Sequence, residues 1–188
     1  MCMLLLKKRY IMKQLLCFLF LAVAVQGYSQ TFTPVDQSSK VHFVIKNFGI
    51  PTGGDFKGLS GTIQFDLQNL SASDFDVSVD AATVDTDIPS RDNHLRKSEF
   101  FDVKKFPKLS FKSTKVTRSN NKDYLYMFGK LTIKGVTKDV KFPFKATPTD
   151  GGWLFEGNFK INRRDFGVGG NSLSISDEVA VFLSVLAK

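Results

Sequence analysis

The sequence predicts a single antiparallel all-β domain, and three observations predict it. From about residue 32 onward, apolar residues recur mostly at every second position, the period of a strand with one buried face. Clusters of Gly, Pro, Asn, Ser and Asp punctuate these runs at the spacing of consecutive antiparallel strands. Only one stretch, Ser90 to Phe101, breaks the period. A length of 188 residues favours one domain.

The amino terminus reads as an export signal. Met12-Lys13-Gln14 is a short cationic start, Leu15 to Val25 is an unbroken apolar run, and small residues follow at Gly27 and Ser29. The run is shorter than the roughly 20 residues that cross a bilayer, and it has the length and flanks of a secretory signal core. Cleavage after Gly27 or Ser29 makes residues 1–29 the signal peptide and residues 30–188 a mature domain, periplasmic or secreted. Met12 is read as the true start, with Lys7-Lys8-Arg9 behind an upstream start codon; a retained amino-terminal anchor is the competing reading. Cys17 lacks the small residues that precede a lipid-modified cysteine.

Both cysteines, Cys2 and Cys17, fall in the signal, so the mature chain has no disulfide and no thiol chemistry. The net charge of +8 falls to +4, with 22 basic residues against 18 acidic. Those basic residues are scattered along strands and turns, which argues against a nucleic-acid partner.

The expected strands follow in order. Val41, Phe43 and Ile45 alternate with His42 and Lys46; Ile63, Phe65 and Leu67 alternate with Gln64 and Asp66. Phe75, Val77 and Val79 alternate with Asp76, Ser78 and Asp80. The pattern returns in Leu109 and Phe111, Leu131 and Ile133, Val140, Phe142 and Phe144, and Phe159 and Ile161. Residues 179–186 are apolar on both faces and should be covered on both sides. Turns are expected at Pro51-Thr52-Gly53-Gly54, Ser119-Asn120-Asn121, Pro148 to Gly152 and Gly167 to Asn171. Pro89 followed by Ser90, a good N-cap, starts a short helix. A sheet with one apolar face must close on itself or pack on a second sheet, so barrel and sandwich both remain. The absence of an immunoglobulin Cys-Trp-Cys spacing favours the barrel.

Little in the chain carries chemistry. His42 and His94 are the only histidines, and with no mature cysteine a zinc site would draw most ligands from carboxylates. No metal or other cofactor is expected. Asp85 and Asp87 lie two apart without a calcium-loop pattern and read as turn-capping or solvated. No Gly-x-Ser-x-Gly elbow occurs. Arg91-Asp92-Asn93-His94 gathers a cation, an acid and a base, either as catalytic groups or as an ion-paired helix capping the barrel. Arg163-Arg164-Asp165 is equally a charged mouth or a strand-end salt bridge. The strongest signal is apolar: 17 of the 19 phenylalanines lie in the mature chain. Phenylalanine buries area without a polar group that needs a partner, which suits a filled core or an apolar pocket.

Several stretches together resemble the YceI-like family of secreted lipocalin-like proteins. They include Val35-Asp36 with Ser39 to Gly49, Gly61 to Asp66, Ala81 to Thr86, Arg91 to Arg96 with Phe100 to Val103, Phe106 to Ser113, Gly129 to Lys138 and Ile161 to Gly167. The ordered set spans about residues 32–187. The resemblance implies an eight-stranded antiparallel lipocalin-like barrel with one short helix around an elongated apolar channel. It implies a polyisoprenoid lipid as ligand, with fatty-acid-like ligands as the alternative. It also implies transient membrane contact and a homodimer as further partners. The family pattern carries a histidine two residues before the first-strand glycine, where this chain has Asn47, so no role of that histidine carries over.

Within this frame Phe43, Ile45, Phe65, Val79, Phe111, Leu131, Phe142, Phe144, Phe159 and Val181 are the expected channel lining, and Arg91, His94 and Arg164 the expected mouth. The function expected is an exported, non-catalytic lipid carrier. Its rivals are an enzyme using Asp92 and His94 on a lipid head group, and a stress-related scaffold with a filled interior.

Overall fold

The computed structural model describes residues 30–188, so the expected signal peptide lies outside the described residues. Ten strands form one antiparallel sheet: β1 (Thr31–Phe32), β2 (Lys40–Asn47), β3 (Ile50–Phe56), β4 (Ser60–Gln64), β5 (Asp74–Asp80), β6 (Lys108–Arg118), β7 (Leu125–Ile133), β8 (Val136–Thr149), β9 (Gly152–Asn162) and β10 (Ile175–Ala187). Their order is β1-β4-β5-β6-β7-β8-β9-β10-β2-β3. The expected count of eight is therefore corrected to ten. The two-residue β1 is too short to show a period, and β3 carries Pro51, Gly53 and Gly54 where a turn was expected.

The turn before β3 begins three residues earlier, at Phe48. Phe48 and Gly49 both have positive φ, 48° and 80°, between the paired Asn47 and Ile50. Lys134 and Gly135 repeat this between Ile133 and Val136, at 50° and 74°. Two successive residues at positive φ make the tight hairpin turn whose twist matches the flanking strands. Proline is tolerated in β3 because that strand is an edge of the sheet. Gly54 is needed there because a Cβ would collide with the Phe43 ring and the Thr86 methyl.

The sheet curls, and short bridges tie its edges in place of a full ladder. Asp55 of β3 pairs with Asp85, N–H to O at 2.8 Å and the reverse at 3.1 Å. Beyond β1, Pro34 bridges Ala187, and Thr33 and Lys188 exchange backbone hydrogen bonds at 2.7 and 3.0 Å. The one α-helix among the described residues, α1 (Pro89–Leu95), lies between β5 and β6. Ile88 occupies its N-cap with no side-chain hydrogen bond, and Pro89 takes the first turn. Serine 90 is thus inside the helix and not its cap; the ring of Pro89 pre-sets the entry dihedral instead.

The interior is divided along the barrel axis. At one end Phe65, Phe75, Phe144 and Phe155 are buried and interlock. Phe155 meets Phe65 and Phe75 edge-on with centroids 5.1 Å from each, and Trp153 meets Phe65 at 4.9 Å. These are favourable T-shaped contacts. Strand β10 is covered on its inner face, but outward Phe182 stays 44% exposed, so the expected double cover is absent at that position among the described residues.

Candidate functional site

The other end of the barrel is hollow. A cavity of about 430 Å³ is walled by inward residues of consecutive strands. Val41, Phe43 and Ile45 come from β2, Val77 and Val79 from β5, and Leu109 and Phe111 from β6. Leu131 and Ile133 come from β7, Phe142 from β8, Phe159 and Ile161 from β9, and Val179, Val181, Leu183 and Val185 from β10. The alternating period of each strand puts these side chains on one face. Leu95, Phe100 and Phe101, on and after α1, close one flank; Phe166 and Val168 close another.

Of the expected lining, Phe43, Ile45, Val79, Phe111, Leu131, Phe142, Phe159 and Val181 face this cavity. Phe65 and Phe144 do not. They point inward, but at the packed end, where Phe75 and Phe155 fill the space before them. Val41, Leu109, Ile161 and Val179 were missed although they share the alternating faces of residues that were named. Phe100, Phe101, Phe166 and Val168 sit in irregular segments that carry no period.

The polar groups at the cavity are largely occupied within the chain. Arg91 lines it and donates to the Thr86 hydroxyl at 2.7 Å and the Thr86 carbonyl at 2.6 Å. Asp92 is buried and accepts from the Thr86 N–H at 2.9 Å and its hydroxyl at 2.5 Å. His94 faces the cavity and pairs with Glu99 at 3.0 Å. That carboxylate is held below its usual pKa, first by a backbone hydrogen bond, which desolvation opposes, and then by the His94 contact. Asp92 and His94 therefore each have a structural partner and do not contact one another in a relay.

Arg164 is not at the cavity. It lies outside, bonded to Asn171 at 2.6 Å and Asp177 at 3.0 Å. Its neighbour Arg163 lines the cavity instead and is only 4% exposed. The guanidinium of Arg163 donates to the carbonyls of Ser176, Val168, Gly170 and Ile175 and to Asp177, at 2.7 to 3.2 Å. One buried cation thus ties the irregular segment from Arg163 to the start of β10. Of these adjacent arginines one is buried and the other exposed, though both reach Asp177, and composition alone could not say which of the two turns in. Asp85 caps its own turn, accepting from the Asp87 N–H at 3.1 Å. Among the described residues no group of three or more His, Cys, Asp and Glu side chains converges on a metal-sized site.

The cavity opens at the β2–β3 hairpin. Phe48 lines it yet is 79% exposed, and Ile50 is 68% exposed. Leu173 projects fully into solvent from a loop joined to this hairpin, the Phe48 N–H donating to the Ser174 carbonyl at 2.7 Å.

A curled antiparallel sheet around a mainly apolar cavity is the architecture of small β-barrels that take up one apolar molecule. The chain belongs to the YceI-like family, whose domain model matches residues 32–187. It is 37% identical over 156 residues to Protein YceI of Salmonella arizonae and of Salmonella paratyphi B, covering 79% of this chain and 81% of each relative. The crystal structure of BcnA from Burkholderia cenocepacia superposes with a TM-score of 0.78 at 26% identity, covering 82% of this chain and 99% of that one. A polyisoprenoid binding domain from Saccharophagus degradans, implicated in plant cell wall breakdown, shares the fold with a TM-score of 0.67 at 15% identity, covering 84% of this chain and 97% of that one.

Proposed function

We propose that this protein is an exported, non-catalytic carrier that holds an isoprenoid or similar linear lipid in the barrel cavity. The observation that carries the reading is the lining: about 430 Å³ bounded mainly by Val, Ile, Leu and Phe, with its cations already bonded inside the chain. A site whose polar groups are occupied gains affinity from apolar burial. At about 0.8 kcal/mol per buried CH₂, a dozen carbons exceed the ~8 kcal/mol of micromolar binding, and the surplus offsets part of the cost of association. A charged head-group clamp is not required.

The rim supports exchange with a membrane. Phe48, which lines the cavity, is exposed, as are its hairpin neighbour Ile50 and Leu173 on the loop bonded to that hairpin, and side chains of this kind partition into a bilayer interface. A lipid could then pass from bilayer to cavity without crossing water.

The test is native mass spectrometry of the mature protein purified from its own host, followed by solvent extraction. A stoichiometric prenyl lipid is the expected result. A fatty acid or amide would keep the cavity's role and change the ligand class. A protein that is empty, and that takes up no prenyl lipid from phosphatidylcholine–phosphatidylglycerol vesicles, would overturn the proposal.

A further inference from the structure

We infer that the outer face of β6, β7 and β8 is a docking strip for an acidic polysaccharide. The strip lies outside the barrel, and the inference does not depend on what the cavity holds. Tyr124, just ahead of β7, and Tyr126 and Phe128 within it alternate with the buried Leu125 and Met127, so the three rings share the outward face. All three are half-buried in the sheet surface. The register sets Phe128 between Lys115 of β6 and Lys141 of β8, and Tyr126 between Thr117 and Pro143. The Lys141 ammonium lies 4.6 Å from the ring centroid of Tyr126 and 5.1 Å from that of Phe128. The Lys145 ammonium lies 4.8 Å from that of Tyr124.

Charge sets this strip apart from its surroundings. Lys112 is neutralised by Asp74 and Asp76, Lys130 by Asp139 and Lys160 by Glu178, at 2.8 to 3.1 Å. Lys115, Lys141 and Lys145 make no ion pair among the described residues. Glu156 stands across from Lys145 without bonding it. An ammonium resting on a ring keeps its three N–H donors, so it can take a carboxylate without leaving the aromatic face.

The complementary partner is therefore anionic and has flat apolar faces. The outer side of a curled sheet is convex and encloses nothing, so affinity must come from weak contacts repeated along a polymer. A uronic-acid chain meets these conditions: its carboxylates pair with the lysines, and the C–H faces of its rings lie against the exposed aromatic edges. A nucleobase needs a bare ring to stack on, and here Lys141 already covers Tyr126 and Phe128. A bilayer takes up apolar side chains that reach into it, and these rings lie within the sheet surface.

The experiment is calorimetric titration of the mature protein with polygalacturonate at low salt, beside neutral dextran, a thymidine oligonucleotide and phosphatidylcholine–phosphatidylglycerol vesicles. Polygalacturonate should bind more tightly than dextran or the oligonucleotide, and its affinity should fall as salt screens the exposed charges. Lys115→Gln combined with Lys141→Gln should weaken it by about fivefold or more. Lys40→Gln combined with Lys160→Gln, the same change of net charge on β2 and β9, should leave it within about twofold. Phe128→Thr should weaken it at unchanged charge. Uptake of prenols and binding to vesicles should survive all of these substitutions, which keeps a failure here distinct from a failure of the carrier reading. Absent binding of polygalacturonate, equal binding of dextran, tighter binding of the oligonucleotide, or equal losses in the two double variants would overturn the inference. So would a loss of vesicle binding in the Lys115 and Lys141 double variant, which would assign the strip to membranes.

Discussion

The two ends of this barrel are made of the same residue types on the same strands, and one is solid where the other is hollow. On β8, Phe144 and Phe142 are two residues apart on one face, yet Phe144 packs among Phe75 and Phe155 while Phe142 borders the cavity. On β9, Phe155 lies in the core and Phe159 lines the cavity. At the solid end, aromatic rings from β4–β5, β8 and β9 meet edge to face across the barrel. At the hollow end phenylalanines share the wall with Val79, Val179 and Val181, and a cavity remains between them. Which rings face one another across the barrel, and not hydrophobicity, distinguishes the two halves. A packed aromatic core and an apolar cavity thus occupy different ends of one sheet.

This comparison can be broken most directly by truncating one side chain in each half. Phe155→Ala should cost about 3–5 kcal/mol in chemical denaturation, because the rings around it cannot collapse into the space. Val181→Ala should cost only about 1 kcal/mol, since it widens a void that already exists, and should weaken lipid binding instead. Equal losses of stability would mean that the two halves share one core.

The paired arginines sharpen the same contrast at the cavity end. Arg163→Met should cost about 3 kcal/mol, because it strands several buried carbonyl acceptors. Arg164→Met should change stability by no more than about 0.5 kcal/mol, as expected of an exposed ion pair. Neither a larger effect at Arg164 nor equal effects would fit the inward and outward placements.

The smallest effect is expected on the outer surface of the solid half. The Lys112 ammonium donates to Asp76 at 2.9 Å and Asp74 at 3.1 Å, and these hydrogen bonds, Asp76 first, hold its pKa above the ordinary lysine value. A raised pKa in the folded state means the contribution is complete below the ordinary lysine pKa and disappears as pH rises through the raised one. Thermal melts should therefore show a slight extra loss at alkaline pH that Lys112→Gln removes; identical alkaline slopes would dismiss the contribution.

The sequence by itself determined the antiparallel all-β class, most strand positions and most of the cavity face, because side-chain alternation is a local consequence of strand geometry. Val41, Leu109, Ile161 and Val179 were legible by the same rule. The family was also legible, since its motifs recur in order along the chain. The tertiary structure decided what alternation cannot express. It placed Phe65 and Phe144 in the solid end, turned Arg163 in and Arg164 out, and moved the first hairpin turn to Phe48-Gly49 with Pro51 to Gly54 inside an edge strand. A period of two says which face a residue is on. Its depth along the barrel, and the residue that meets it from the far wall, depend on contacts between strands distant in sequence.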